Sequence, residues 1–199
     1  MTDETIACYD ATAEVFAART MALRLHGLEP FRAALPTGAL VLDLGCGPGR
    51  DCRWLHELGL RTVGLDLSAG LLELARRHHP EGAWARGDMR RLPFRDAAFD
   101  GLWFCASLLH IPSAQAPGVL AEARRVCRQG APLHLAVQRG DGERWFPHES
   151  GTGRRFFCFW QADELRVAIE TAGFAVGAID TSPDSRPGLE WLNVRATAA

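Results

Sequence analysis

From Ala39 onward the chain alternates between two hydrophobic rhythms. Short runs of branched and aromatic residues, bounded by Gly, Pro and Asp, have the length of buried strands; longer stretches with apolar residues three and four apart read as helices. The pattern predicts strands near 39–44, 61–66, 82–87, 98–104, 132–138, 174–180 and 189–197, and helices near 50–59, 69–79, 113–128 and 161–172. Alternation of this kind implies an α/β fold, with a parallel sheet covered on both faces. Ahead of it, residues 5–26 place Ile6, Tyr9, Phe16 and Leu23 near helical spacing, and 27–38, with Pro30 and Pro36, reads as a linker. The expectation is one domain over 1–199, with 1–38 as a helical cap.

One stretch breaks the rhythm. Residues 139–159 mix Gly140, Gly142, Gly151 and Gly153 with Trp145, Phe146, His148, Arg154, Arg155, Phe156 and Phe157. Some twenty residues without clear periodicity inside a compact domain usually form a functional loop. Aromatics among glycines suit a mobile cover that excludes water when closed. The bland alternative is a surface loop burying its own aromatics.

The chemistry gathers at the end of the first strand. Leu40-Val41-Leu42-Asp43-Leu44 stops at Gly45, Gly47 and Gly49, and Cys52 to Leu58 behind them have helical composition. Glycine tolerates positive φ and has no Cβ, so ligand atoms can approach such a turn closely. The helix start behind it offers unpaired N–H groups. The third glycine comes one residue earlier than in the dinucleotide fingerprint, which disfavours an NAD-type oxidoreductase. The second strand ends on Asp66, which can accept both hydroxyl hydrogens of a ribose, while Ser68 suits the N-cap of the next helix. Asp43, inside an apolar strand, needs partners, and the glycine-loop N–H groups or a ligand ammonium are candidates. Asp88 closes the third strand at the same edge, where ligands of open α/β sheets bind.

Four segments, Val41 to Gly49, Gly64 to Ser68, Gly87-Asp88-Met89 with Leu92-Pro93-Phe94, and Ala98 to Trp103, resemble the class I S-adenosylmethionine-dependent methyltransferases in order and spacing. The resemblance covers roughly residues 39–179. It implies a Rossmann-like, doubly wound, seven-stranded sheet of order 3-2-1-4-5-7-6 with the last strand antiparallel, in a three-layer αβα sandwich. It also implies S-adenosyl-L-methionine as cofactor, contacted by Tyr9, Asp43, Gly45, Cys46, Gly47, Asp66, Leu67, Asp88, Met89 and Cys105. Tyr9-Asp10 with Phe16-Ala17 is similar to a segment that covers the cofactor in small members, though packing of an amphipathic helix explains Tyr9 equally well. Where amino-methylating members of the class often carry [DN]-P-P-[YFW], this chain has Cys105-Ala106-Ser107-Leu108. That departure disfavours a base amine or a glutamine amide as acceptor and resembles small-molecule members.

The reading is therefore methyl transfer to an oxygen or nitrogen of a small soluble metabolite. A cofactor-binding protein without catalysis is the alternative from another class. His110 is the candidate base, because imidazole titrates near working pH, against a purely structural histidine. Trp145, His148, Arg154, Arg155 and Phe157 are the candidate acceptor contacts, weighed against solvated arginines.

Composition narrows the partners. The 199 residues are 47% hydrophobic and 23% charged, with a net charge of −2, which gives no reason to expect nucleic acid. No apolar run approaches the ~20 residues of a membrane span, and Met1-Thr2-Asp3-Glu4 lacks the basic start of a signal peptide. Six cysteines without a C-x-x-C pattern read as reduced core residues rather than a zinc site. The expectation is a cytoplasmic protein without metal, as monomer or homodimer.

Overall fold

Val41, Leu42 and Leu44 are fully buried because their strand lies between two others at the centre of the sheet. The computed structural model describes residues 3–23, 26–149, 151–184, 186 and 188–199. In chain order the elements are α1 (Asp3–Ala11), α2 (Ala13–Thr20), α3 (Leu28–Ala33), β1 (Leu40–Leu44), α4 (Arg50–Glu57), β2 (Arg61–Asp66), α5 (Ala69–His78) and β3 (Ala83–Arg86). There follow β4 (Gly101–Cys105), α6 (Ala116–Val126), β5 (Pro132–Gln138), β6 (Glu143–Pro147), β7 (Arg154–Cys158), α7 (Ala162–Thr171), β8 (Phe174–Pro183) and β9 (Glu190–Ala198).

The main sheet runs β3-β2-β1-β4-β5-β9-β8, and β9 is antiparallel to both neighbours. Counted over the seven sheet strands this is the order 3-2-1-4-5-7-6 with the last antiparallel, the Rossmann-like arrangement the resemblance implies. Strand alternation divides the core into two faces. Leu42, Leu44, Leu102 and Phe104 pack with Leu120 and Ala123 of α6 and with Leu165 and Ile169 of α7. Val41 and Trp103 meet Leu28 and Phe31 of α3 and Leu55 of α4. Helices α1 and α2 lie on α5 through Tyr9, Ala13, Ala17, Leu71 and Leu74.

Two expectations need correction. The N-terminal segment is not one helix over 5–26. It breaks at Thr12, whose hydroxyl donates to the Cys8 carbonyl at 2.7 Å, and residues 24 and 25 lie outside the described residues. The linker holds a further helix, α3, because Gly27 takes the left-handed conformation (φ 87°) that turns the chain into it. Leu23 is exposed, not on an apolar stripe.

The stretch 139–159 is a docked β-hairpin rather than an irregular loop. β6 pairs antiparallel with β7 in a separate two-stranded sheet, and Phe156, Phe157 and Cys158 enter the main core. The period was hidden because β7 buries Phe156, Phe157 and Cys158 in succession while β6 stays largely exposed, so neither strand alternates. The Arg154 guanidinium lies over the Trp145 ring, and that of Arg155 over Tyr9 and Phe157. Ser150, in the connection, lies outside the described residues. Element ends elsewhere move by a few residues: 113–128 divides into a 3₁₀ turn at Ser113–Gln115 and α6, and the fourth strand starts at Gly101, not 98. Among the described residues no helix is long and apolar enough to cross a membrane.

Candidate active site

Register brings the chemistry to one edge. β1 and β2 pair from Leu40↔Arg61 to Leu44↔Leu65, so the glycine loop and Asp66 leave the sheet side by side. Gly45 and Cys46 both donate their amides to the Leu65 carbonyl, at 2.7 and 3.1 Å, tying the loop to the neighbouring strand. Gly45 has φ 77°, and a Cβ there would lie 2.3 Å from that of Ser107. The bare position lets Ser107 close beneath the loop, where its hydroxyl donates to the Leu44 carbonyl at 2.5 Å. Trp84 supports the loop from behind: a Cβ at Gly49 or at Gly64 would each lie 2.6 Å from its ring.

The carboxylates divide their duties. Asp66 is buried and accepts the amides of Gly47 and Ser68, both at 2.9 Å; burial raises its pKa and those amides oppose the rise. Ser68 is the N-cap expected of it, its side chain accepting from the Leu71 amide at 3.1 Å. Asp43 does not take the glycine-loop amides, which go to Leu65 and Asp66; its partner is the Cys52 thiol, which donates at 3.3 Å. Burial and then the Asp51 charge push the Asp43 carboxyl well above the usual range. Asp88 is half-exposed and bound by the Arg90 side chain and amide, which outweigh the effect of burial and lower its pKa.

Gly45, Leu65, Asp66, Leu67, Gly87, Asp88 and Met89 line one cleft at this edge. Two carboxylates facing an apolar slot fit a nucleoside, its ribose hydroxyls and exocyclic amine donating to the acids. Cys46 and Cys105 are buried beside this edge without lining the cleft, Cys46 packing toward Gly64.

A second cluster forms where α1, the turn after β4 and the hairpin converge. His110 ends a 3₁₀ turn at Leu108–His110 and is 3% exposed. Its Nδ1 lies 2.7 Å from the Phe156 carbonyl and its Nε2 2.8 Å from the Tyr9 hydroxyl. A carbonyl only accepts, so Nδ1 carries the proton and the Tyr9 hydroxyl donates to Nε2. Burial lowers the His110 pKa to about 4, with the Arg155 charge adding to the fall. Arg155 Nη1 donates to the Tyr9 oxygen at 3.3 Å; among the described residues its Nε has no partner and its guanidinium no ion pair. The Phe157 ring meets His110 edge-on.

The acceptor candidates therefore separate. Arg155 and Phe157 join His110 and Tyr9. Arg154 faces outward to Glu4 at 2.7 Å, Trp145 lies under Arg154, and His148 is buried in the turn of the hairpin. Sequence reasoning named Asp10 beside Tyr9 but not its partners: it accepts from the Ser68 hydroxyl at 2.5 Å and from the Gly70 amide at 2.9 Å. Sequence reasoning missed Arg50 and Asp51 at the start of α4, although Arg50 is the one cation adjoining the glycine loop in sequence.

The sequence and the fold both have known counterparts. A methyltransferase-domain family model matches residues 41–130. The chain is 35% identical over 131 residues to malonyl-[acyl-carrier protein] O-methyltransferase of Pectobacterium atrosepticum, covering 65% of this chain and 48% of that protein. It is 32% identical over 150 residues to demethylmenaquinone methyltransferase of Beutenbergia cavernae, covering 75% and 60%. The chain thus spans about half the length of the curated relatives it matches. Among solved structures, an S-adenosylmethionine-dependent methyltransferase of Methanosarcina mazei superposes with TM-score 0.78 at 18% identity, over 88% of this chain and 98% of that one. The 1,6-didemethyltoxoflavin-N1-methyltransferase of Burkholderia thailandensis, solved with S-adenosylhomocysteine, gives 0.71 at 23% identity over 98% and 88%. At such identities these structures show a shared fold. Sequence match, relatives and sheet order agree: residues 41–130 match a methyltransferase domain, and the chain has the fold of the S-adenosylmethionine-dependent methyltransferases.

Proposed function

We propose that the protein transfers the methyl group of S-adenosylmethionine to an oxygen or nitrogen of a small acceptor bearing an anionic group. The observation that carries the acceptor's charge is Arg155. It is a half-buried guanidinium, stacked over Tyr9 and Phe157, with an unpartnered Nε and no paired carboxylate among the described residues. A cation so placed favours an anionic, flat or short ligand. Relatives named for O-methylation and a structural neighbour named for N1-methylation support oxygen or nitrogen as the target.

When bound, S-adenosylmethionine supplies an electrophilic methyl group on a sulfonium centre. The chain's work is to orient the nucleophile and exclude water. Arg155 holds the anionic end, while Phe157 and Tyr9 form an apolar wall. The His110 Nε2 lone pair is the acceptor facing Tyr9 and receives a proton only once that phenol moves aside. A base whose conjugate acid has a pKa of about 4 suits a carboxylic or phenolic acceptor better than an alcohol.

The test is incubation with methyl-labelled donor and fractionated metabolite extract. Labelled product is expected from acidic fractions, with Arg155→Met raising KM for that acceptor and leaving donor affinity unchanged. Donor binding without labelled product from any fraction would favour the non-catalytic binder.

A further inference from the structure

Arg50 and Asp51 open α4 directly behind the glycine loop. Asp51 is buried, and both its oxygens are taken. Oδ1 accepts from Arg50 Nε at 2.5 Å, and Oδ2 from the Trp103 indole at 2.8 Å. Trp103 is fully buried in β4, held edge-on by Phe31 and stacked on His134 at 4.1 Å. Asp51 is therefore fixed by the core, and it fixes one edge of Arg50.

The rest of that guanidinium is unused. The Arg50 side chain is 14% exposed, yet its only polar partner among the described residues is Asp51 through Nε. Four of its five N–H donors stay open in a crowded place, an arrangement that calls for an anion. Its charge is felt by the Asp43 carboxyl on β1 and by the Cys105 thiol at the end of β4. The guanidinium thus lies within electrostatic reach of the ends of β1 and β4. In the sheet order these strands separate β2, whose Asp66 faces the nucleoside cleft, from the turn after β4 that carries His110. A donor with its nucleoside at β2 and its methyl group turned toward His110 has its amino-acid end between the two.

We infer that Arg50 takes the carboxylate of the donor's amino-acid end, with Asp51, anchored by Trp103, as its positioning residue. The inference rests on S-adenosylmethionine being the donor. The planar pair of terminal amines matches a carboxylate in a two-point contact, and the Asp51 anchor leaves that pair pre-oriented.

Calorimetry with two ligands tests this without turnover. S-Adenosylhomocysteine carries the amino-acid end, and 5′-methylthioadenosine has the same nucleoside and thioether without it. The parent should bind the first more tightly. Arg50→Met should weaken S-adenosylhomocysteine by roughly 10- to 100-fold, the range for charge-assisted hydrogen bonds, and leave methylthioadenosine unchanged. Unchanged methylthioadenosine binding also reports an intact fold. Asp51→Asn keeps an acceptor for Trp103 and should give a smaller loss, again confined to S-adenosylhomocysteine. If Arg50→Met does not fold, Arg50→Lys and Asp51→Asn carry the same comparison. Equal loss of both ligands, or parent-like affinity for S-adenosylhomocysteine, overturns the inference. A parent that binds both ligands equally well overturns it while leaving the donor reading intact; a parent that binds neither overturns both.

Discussion

Replacing Asp66 with alanine removes the acceptor for the Gly47 and Ser68 amides together with the acid that faces the cleft. Donor affinity is expected to fall by about 1.5–3 kcal/mol, the range for hydrogen bonds to a charged group. Titration with S-adenosylhomocysteine checks this, and an unchanged dissociation constant would remove Asp66 from the ribose. His134 poses a different residue-scale question. It is 1% exposed, neither ring nitrogen has a partner among the described residues, and burial lowers its pKa to about 4. The unfolded chain takes up a proton at this histidine near pH 6.5 while the folded chain resists until about 4. Stability from this group is therefore complete above pH 6.5 and lost as pH falls toward 4, by up to roughly 3 kcal/mol. His134→Phe keeps a ring on Trp103 and removes the charging site. Its stability, measured in urea, should match the parent's at pH 7 and exceed it at pH 4.5; parallel pH profiles would show that His134 does not titrate in this window.

At the scale of elements, the glycine loop depends on a tryptophan from β3. Gly64 has no positive φ, so only space decides what it tolerates, and a Cβ would lie 2.6 Å from Trp84 and 2.8 Å from the Cys46 sulfur. Gly64→Ala should cost about 1–3 kcal/mol, the usual penalty of overpacking. Adding Trp84→Leu should recover part of it, and a double-mutant cycle with zero coupling would refute the contact. Helix α1 performs a second task. Within one short helix, Glu4 pairs with Arg154, Thr5 accepts the Phe156 amide at 3.0 Å, Tyr9 donates to His110, and Asp10 holds Ser68. It ties the donor side of the edge to the hairpin. Thr5→Val should leave the Phe156 amide unpaired, costing about 1–3 kcal/mol, and speed amide exchange there. Exchange at the parent rate would show that the hairpin holds without the helix.

For the molecule as a whole, a donor that contacts loop, strand ends and cap should bind the folded chain alone. At one hundred times its dissociation constant, S-adenosylhomocysteine should add about 2.7 kcal/mol of stability. For a chain of 199 residues that corresponds to a melting temperature raised by roughly 5–10 °C. Thermal unfolding across a ligand series measures it, and a flat series would exclude a preformed donor site.

What the sequence determined by itself is what local pattern can encode. Gly45-x-Gly47-x-Gly49 requires backbone conformations and bareness that few other residues supply, and an acid closing an apolar strand is visible within six residues. Ser68 as a cap, and apolar runs long enough for central strands, are equally local. The family resemblance added the strand order, which no periodicity contains. Tertiary structure alone decided the partners. Asp43 turned from the glycine amides to Cys52, nine residues away, because the loop amides had closer acceptors in Leu65 and Asp66. Tyr9 meets His110 across 101 residues, Trp103 meets Asp51 across 52, and Thr5 meets Phe156 across 151. None of these pairs leaves a periodic trace, since each member fits its own element without the other. The hairpin left no periodic trace for a related reason: β7 buries three successive residues against the core and β6 is largely exposed, so the alternation that marks a half-solvated strand never formed.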